Sequence, residues 1–175
     1  MTADPAAAPP LPLLDEVKLQ AKVLVPLLRA LRERMGKVEA DRLAEKALRD
    51  WSRDLQRRIA AEKPGGARQK WDAIWDDLRP RIGTTIDREM LVDDGTVREY
   101  NVTRCGYAEF FKELGEPELG RFLLCDLDFD MAEVGAPDVE FRRTQTIMQG
   151  APYCDFRYRF RRPEPEGGAE DGGAG

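Results

Sequence analysis

The sequence contains no histidine among its 175 residues. This absence excludes Ser-His and Cys-His catalysis and removes the commonest zinc ligand, so any catalysis must depend on cysteine, carboxylates, tyrosine, lysine or arginine. Positive charge is also in deficit, because 28 Lys and Arg residues against 33 Asp and Glu residues give a net charge of −5. That sign disfavours binding to nucleic acid, which depends on neutralising phosphates, and to acidic lipid. No apolar run is long enough for a membrane span, so we expect neither nucleic acid nor a membrane as a partner.

The sequence has few cysteines, and their spacing does not indicate disulfide pairs. The three cysteines, Cys105, Cys125 and Cys154, are an odd number without a CxxC spacing, which argues against a disulfide framework. The N-terminal segment has no Lys or Arg before an apolar run, and Asp4 with several prolines is unfavourable in a signal peptide. We therefore expect a cytoplasmic protein.

Length and composition predict one compact domain with terminal extensions. The chain fits the roughly 100–200 residues of a single domain, and its 35% of charged residues predicts a charge-dense surface. We expect a flexible leader over residues 1–12, a single α+β domain over 13–162 and a disordered acidic tail over 163–175. The tail contains no apolar side chain large enough to dock it onto the domain.

Apolar residues at helical spacing predict most of the secondary structure before residue 135. The predicted helices run from Leu13 to Gly36, from Val38 to Glu62, from Arg68 to Leu78, from Tyr107 to Leu114 and from Pro117 to Val134. Pro26 is expected to kink the first helix or to begin its second part, and Pro80 to end the third helix. Trp71 and Trp75 are predicted to pack in the core.

Two segments alternate like strands. Residues 86–103 contain Asp94-Gly95 between apolar runs, which favours a β-hairpin. Residues Val139–Met148 and Pro152–Arg161, joined at Gln149–Ala151, predict a second hairpin. The expected fold is therefore α+β, with N-terminal helices packed against two antiparallel β-hairpins that form a small sheet.

Asp126 is the carboxylate whose position is least expected in a plain core. It lies on the apolar face of the predicted helix that begins at Pro117, because its spacing from Leu119 and Phe122 is helical. An apolar environment raises the pKa of a carboxyl group, so Asp126 is a candidate general acid or base. The alternative is a structural ion pair with an arginine such as Arg104 or Arg142. We expect Asp128, on the opposite side, to be solvated.

The last predicted strand has a strict period of two. One face carries Cys154, Phe156, Tyr158 and Phe160, and the other face carries Asp155, Arg157, Arg159 and Arg161. Cys154 is therefore either an inert buried thiol or a pocket-lining nucleophile whose thiolate is favoured by nearby arginines. The arginine face is expected to be a solvated sheet surface.

An ordered set of short motifs resembles the L-2-amino-thiazoline-4-carboxylic acid hydrolase family. The motifs are Arg104-Cys105, Tyr107-Ala108-Glu109-Phe110-Phe111, Gly115-Glu116-Pro117-Glu118-Leu119, Leu124-Cys125-Asp126-Leu127-Asp128, Arg143-Thr144-Gln145-Thr146-Ile147 and Gly150-Ala151-Pro152-Tyr153-Cys154-Asp155-Phe156-Arg157. The resemblance implies that residues 13–162 form a small α+β hydrolase. It also implies an activity on the carbon-nitrogen bond of a cyclic amidine, opening a thiazoline to an N-carbamoyl-cysteine-type product.

Ring opening requires a nucleophile, a proton donor and a contact for the substrate carboxylate. Cys154 or Cys125 is the predicted nucleophile, and Asp126 is the predicted acid or base. Attack by a water molecule that Asp126 activates is equally consistent with the sequence. The predicted substrate-binding residues, with Arg104 or Arg143 on the carboxylate, are Arg104, Arg143, Cys105 and Tyr158. No cofactor is expected.

Two other functions are compatible with these residues. One is a non-catalytic module that binds an apolar small molecule. The other is a metal site formed by Cys105, Cys125, Cys154 and Asp126, whose ligand types are acceptable although no short spacing favours it, so we expect no resident metal. The distances between Asp126 and the three sulfurs distinguish these functions from an inert core, while the sequence predicts no oligomeric state.

Overall fold

The fold, described by a computed structural model over residues 10–161, is α+β as predicted. The helices are α1 (Leu13–Met35), α2 (Lys37–Ala61), α3 (Ala67–Ile82), α4 (Gly106–Glu113), α5 (Pro117–Gly120) and α6 (Leu127–Val134). The strands are β1 (Ile86–Asp93), β2 (Val97–Cys105), β3 (Val139–Arg142) and β4 (Cys154–Phe160). The predicted tail and most of the predicted leader lie outside the described residues.

Two hairpins combine into one antiparallel sheet with the strand order β1-β2-β4-β3. The first hairpin turns at the predicted Asp94-Gly95, where the Asp94 carboxylate accepts hydrogen bonds from the backbone N–H groups of Thr96 and Val97. Gly95 has a φ of +87°, a conformation that favours glycine. The pairing of β2 with β4 joins the two hairpins and places Val102 opposite Cys154.

The second hairpin has shorter strands and a longer connection than predicted. Strand β3 ends at Arg142 instead of Met148, and a 3₁₀ turn over Ile147–Gln149 lies in the connection. The Asp155 carboxylate explains the early end, because it accepts hydrogen bonds from the backbone N–H groups of Thr144 (2.9 Å) and Gln145 (2.8 Å). These N–H groups are satisfied by a side chain and need no strand partner.

Neither proline inside the long helices ends its helix. Helix α1 continues through Pro26, and α3 continues through Pro80 to Ile82, so the prediction that Pro80 ends the third helix is wrong. Both prolines lie on exposed surface, where a carbonyl without an intrahelical donor can still bind water. The turns come instead at Gly36 and Gly83, with φ of +86° and +51°.

The predicted helix from Pro117 to Val134 contains a π-helical turn over Arg121–Cys125. The Asp126 N–H donates to the carbonyl of Arg121, five residues earlier, at 3.0 Å. This turn separates α5 from α6 and inserts one extra residue into the helical repeat, so the faces after it are rotated relative to an unbroken helix.

The helices cover one face of the sheet, and the other face is polar. Tyr100, Phe156, Tyr158 and Phe160 form an aromatic layer beneath the helices, and Trp71 packs against it in the predicted core position. On the open face, Arg157 and Arg159 pair with Glu99, so the predicted arginine face is a surface of ion pairs. No helix in the described range is both long and apolar enough to cross a membrane.

Candidate active site

A cavity of about 510 Å³ lies between helices α1 to α3, the covered face of the sheet and the segment from Leu123 to Met131. Most of its lining is aliphatic or aromatic. The exceptions at its inner wall include Cys105, Cys125, Asp128 and Arg143, together with the buried Gln56 of α2. A concave apolar pocket with a few convergent polar groups is the usual form of a small-molecule site.

Asp128 and Arg143 form an ion pair at this wall. The Arg143 guanidinium donates through Nη1 to Asp128 Oδ2 and through Nη2 to the carbonyl oxygen of Cys125, the latter at 2.7 Å. Only 4% of the Arg143 side chain is exposed, compared with 22% of the Asp128 side chain. The arginine is therefore fixed inside the protein, while part of the carboxylate remains accessible.

Aromatic rings hold the Arg143 guanidinium from the other side. Its central carbon lies 5.0 Å from the Phe129 ring centre and 5.4 Å from the Phe156 ring centre, close enough for cation-π attraction. With few alternative positions for its guanidinium, Arg143 keeps the Asp128 carboxylate in one place.

Burial raises the pKa of Asp128 to about 6, although the charge and hydrogen bond of Arg143 oppose the shift. The negative charge of Asp126 adds to it. A carboxyl group with this pKa changes protonation state near neutral pH, where a general acid or base is most effective.

The prediction that Asp128 is solvated is wrong, because α6 is covered on two sides. Asp126 and Asp130 face α2, where Asp130 lies 3.2 Å from Arg53. Asp128 faces the sheet and the cavity instead. Sequence periodicity identifies a single apolar stripe and cannot reveal a second covered face; the only signal for Asp128 was its place in the Leu124–Asp128 motif.

Asp126 is buried, as its position on the apolar face predicted, but it does not line the cavity. Its carboxylate accepts a hydrogen bond from Arg121 Nη1 at 2.8 Å, and the same nitrogen lies 3.1 Å from Glu45. Burial raises the pKa of Asp126, and Arg121 opposes this shift. The surroundings match the structural ion pair considered from sequence, with Arg121 as the partner in place of Arg104 or Arg142.

The three thiols differ in their access to the cavity. Cys105 and Cys125 line it, whereas Cys154 is buried outside the lining and its Sγ accepts a hydrogen bond from the Ile147 N–H at 3.2 Å. Burial raises the pKa of all three thiols, most strongly that of Cys125. The thiolate required for nucleophilic attack is therefore disfavoured at each position.

We expect single substitutions of these cysteines by alanine to keep kcat/KM within about tenfold of the wild type, because a protonated thiol is a poor nucleophile. The measurement is the rate of thiazoline ring opening, the reaction that the sequence resemblance implies, by Cys105→Ala, Cys125→Ala and Cys154→Ala. Melting temperature is the control for folding. Loss of nearly all turnover in one well-folded variant would identify that cysteine as the nucleophile.

Two further residues predicted to bind substrate lie away from the cavity. Arg104 is on the protein surface, where it bonds to Asp87 and to the carbonyl oxygen of Thr84. Tyr158 is fully buried in the aromatic layer, with its ring centre 4.6 Å from that of Phe141. Of the predicted substrate-binding residues, Arg143 and Cys105 line the cavity.

The cavity also has lining residues that sequence reasoning did not select. Trp75 lines it from α3 and contacts Trp71 edge to face, with ring centres 6.0 Å apart. Tyr107 lines it from α4. Helical spacing indicated that Trp75 faces inward, but it could not distinguish a cavity wall from a filled core.

In the described part of the chain, the acidic and thiol side chains are not arranged as a metal centre. Within residues 10–161, no three Cys, Asp or Glu side chains are grouped so that they could hold one ion. The alternative in which Cys105, Cys125, Cys154 and Asp126 converge on a metal therefore has no geometric support.

Comparison with known proteins identifies the family. No curated protein gives a match to this chain. The sequence model of the L-2-amino-thiazoline-4-carboxylic acid hydrolases matches residues 16–158, a range that includes the cavity walls from α1 to β4. The chain therefore belongs to the L-2-amino-thiazoline-4-carboxylic acid hydrolase family.

Proposed function

We propose that the protein hydrolyses a small cyclic isothiourea or amidine, such as 2-amino-thiazoline-4-carboxylate, inside the cavity. The observation that carries this proposal is the Asp128 carboxylate, which is accessible within a mostly apolar cavity and has a pKa of about 6. The family name supports the same class of reaction. In this proposal Asp128 takes the acid-base role that the sequence suggested for Asp126.

The attack is on the carbon of the ring C=N bond. Ionised Asp128 takes a proton from a water molecule while the water oxygen bonds to that carbon. Asp128 then passes the proton to the ring nitrogen. The carboxylate then takes the hydroxyl proton of the tetrahedral adduct, so that a carbonyl forms and the bond from carbon to ring sulfur breaks. The sulfur accepts that proton, which yields a thiol and an N-carbamoyl group and restores the Asp128 carboxylate.

Arg143 has two functions in this scheme. Its charge and hydrogen bond oppose protonation of Asp128 and so keep more of the base ionised. Its bonds to Asp128 and Cys125 use two of five guanidinium N–H groups. Because Arg143 also lines the cavity, it is the proposed contact for the substrate carboxylate, since arginine binds carboxylates in a fixed geometry.

A ring-opening assay tests the proposal. The protein is incubated with 2-amino-thiazoline-4-carboxylate and is then removed by filtration, because its own cysteines would react with a thiol reagent. The filtrate is tested for a new thiol. Mass spectrometry should show the substrate plus one water. A filtrate without thiol, from protein that nevertheless binds the thiazoline, would favour the non-catalytic binding module.

We expect kcat/KM to rise with pH through about 6 and to level off above it, because the base is active only when ionised and the pKa of Asp128 is about 6. Below this value the rate should fall about tenfold per pH unit. The measurement is kcat/KM from about pH 4.5 to about pH 8. A rate that falls as pH rises through 6 would assign Asp128 as the general acid instead.

A further inference from the structure

The cavity is much larger than the ring named by the family. A 2-amino-thiazoline-4-carboxylate has nine non-hydrogen atoms by its formula. Even if each atom took the roughly 30 Å³ that a whole water molecule occupies in the liquid, the compound would need only about 270 Å³. The cavity has a volume of about 510 Å³, so about half of it would be left to water.

The polar and apolar linings of the cavity come from different elements. Three polar groups contact one another at one wall. Asp128 belongs to α6, Arg143 to the loop after β3, and the Cys125 carbonyl to the π turn. The opposing layer of helices, α2 and α3, supplies Leu55, Ile59, Ile74, Trp75 and Leu78. These side chains offer a substrate surface for burial and no counter-charge.

Charged residues of the same two helices lie at the solvent side of the cavity and are already paired. Lys63, two residues after the end of α2, pairs with Asp77 of α3, and Arg81 of α3 pairs with Glu16 of α1. All four line the cavity. Because their charges are satisfied within the protein, these four residues have little affinity for a second charged group on the substrate.

We infer that the natural substrate carries a bulky apolar substituent, an aryl or branched alkyl group, in addition to the cyclic amidine. This inference rests on the proposed function and specifies its substrate class. The ring would lie at Asp128 and Arg143, and the substituent would lie against Ile59, Trp75 and Leu78. A bare thiazoline would leave these apolar side chains in contact with water, whereas an apolar substituent removes both surfaces from water on binding.

The test compares three compounds: 2-amino-thiazoline-4-carboxylate, its 5-phenyl derivative and its 2-benzylamino derivative. We expect at least one aryl derivative to be opened with a kcat/KM about 10- to 100-fold above that of the parent ring, since apolar burial of this size discriminates by such factors. Binding is measured in parallel from the fluorescence of Trp51 and Trp75, which both line the cavity.

Two variants reduce the space available to the substituent. Ile59→Trp fills the wall from α2 and Leu78→Trp fills it from α3, so that one remains informative if the other does not fold. Arg58→Trp is the matched control, because it adds the same side chain at the preceding, exposed position of α2. We expect the ratio of kcat/KM for the aryl compound to kcat/KM for the parent ring to fall to about one in the filled variants and to keep its wild-type value in Arg58→Trp.

The outcomes separate the inference from the proposed function. Opening of the parent ring with no gain for either aryl derivative would overturn the inference and keep the function. If no ring is opened but an aryl derivative binds at least about tenfold more tightly than the parent, the function is wrong and the apolar subsite stands. Equal loss of both substrates in folded Ile59→Trp and Leu78→Trp would also contradict the inference.

Discussion

Asp128→Asn should lower kcat/KM by about 10²- to 10⁴-fold, the usual contribution of a general base. Asparagine has the same size and can still accept a hydrogen bond from Arg143, but it cannot take a proton from water. The remaining activity should no longer change with pH near 6, because the group with that pKa is absent. The measurements are ring opening across the pH range and the melting temperature of the variant.

Asp126→Asn is the matched control for this substitution. Both carboxylates lie near the start of α6, and each pairs with one buried or half-buried arginine, Arg121 in the case of Asp126. Only Asp128 lines the cavity. We expect Asp126→Asn to keep turnover within about threefold of the wild type. The reverse result, an inactive Asp126→Asn and an active Asp128→Asn, would return the acid-base role to Asp126.

The largest loss of stability should follow from Glu116→Ala. Glu116 is 3% exposed, and its carboxylate accepts hydrogen bonds from Arg29 Nε at 2.8 Å and from Arg32 Nη1 at 2.5 Å. Arg32 also bonds to Asp41 at 2.6 Å, so the cluster joins α1, α2 and the turn before α5. Removing one partner of a buried ion pair costs about 3–5 kcal/mol. A domain of this size should then melt roughly 10 °C lower.

Glu118→Ala serves as the comparison because it lies two residues away and also forms an ion pair with a helix of the same cluster. Its side chain is 42% exposed, and it accepts a hydrogen bond from Lys37 at 2.8 Å. Water screens an exposed pair, so we expect a loss of at most about 1 kcal/mol. Chemical denaturation of both variants gives the two free energies of unfolding. Equal losses would show that burial of Glu116 contributes nothing to its effect.

The parts of the fold that depend on adjacent residues could be predicted from the sequence. The turn at Asp94-Gly95 forms where expected because its hydrogen bonds lie within three residues, and β4 alternates as expected because side chains on a strand alternate between faces. The end of α3 that Pro80 predicted is wrong, because an exposed helical position tolerates the missing N–H of this proline. The first strand of the second hairpin was predicted too long, because the hydrogen bond from Thr144 to Asp155 that ends it spans eleven residues and is not a local signal.

The candidate site was predicted only in part. The motifs singled out Cys105, Cys125 and Arg143, which line the cavity, but also Arg104, which does not, and Tyr158 of the last predicted strand does not line it either. A strand pattern indicates which face a side chain is on, and Tyr158 is indeed on the covered face. Whether that face borders a void or a packed ring depends on the helix above it, and spacing along one strand contains no such information.

The sequence by itself determined which chemistry is available and which residue types could perform it. Without histidine, the candidate reactive groups were cysteine, carboxylates, tyrosine, lysine and arginine, and the negative net charge disfavoured nucleic acid as a partner. Only the tertiary structure showed that Asp128 and not Asp126 lines the cavity, and that all three thiols are in surroundings that disfavour the thiolate. Asp128 became the accessible acid because α6 is covered by α2 on one side and by the sheet and cavity on the other. The same burial raises the pKa of the thiols, since a buried charge is costly wherever the surrounding chain removes its water.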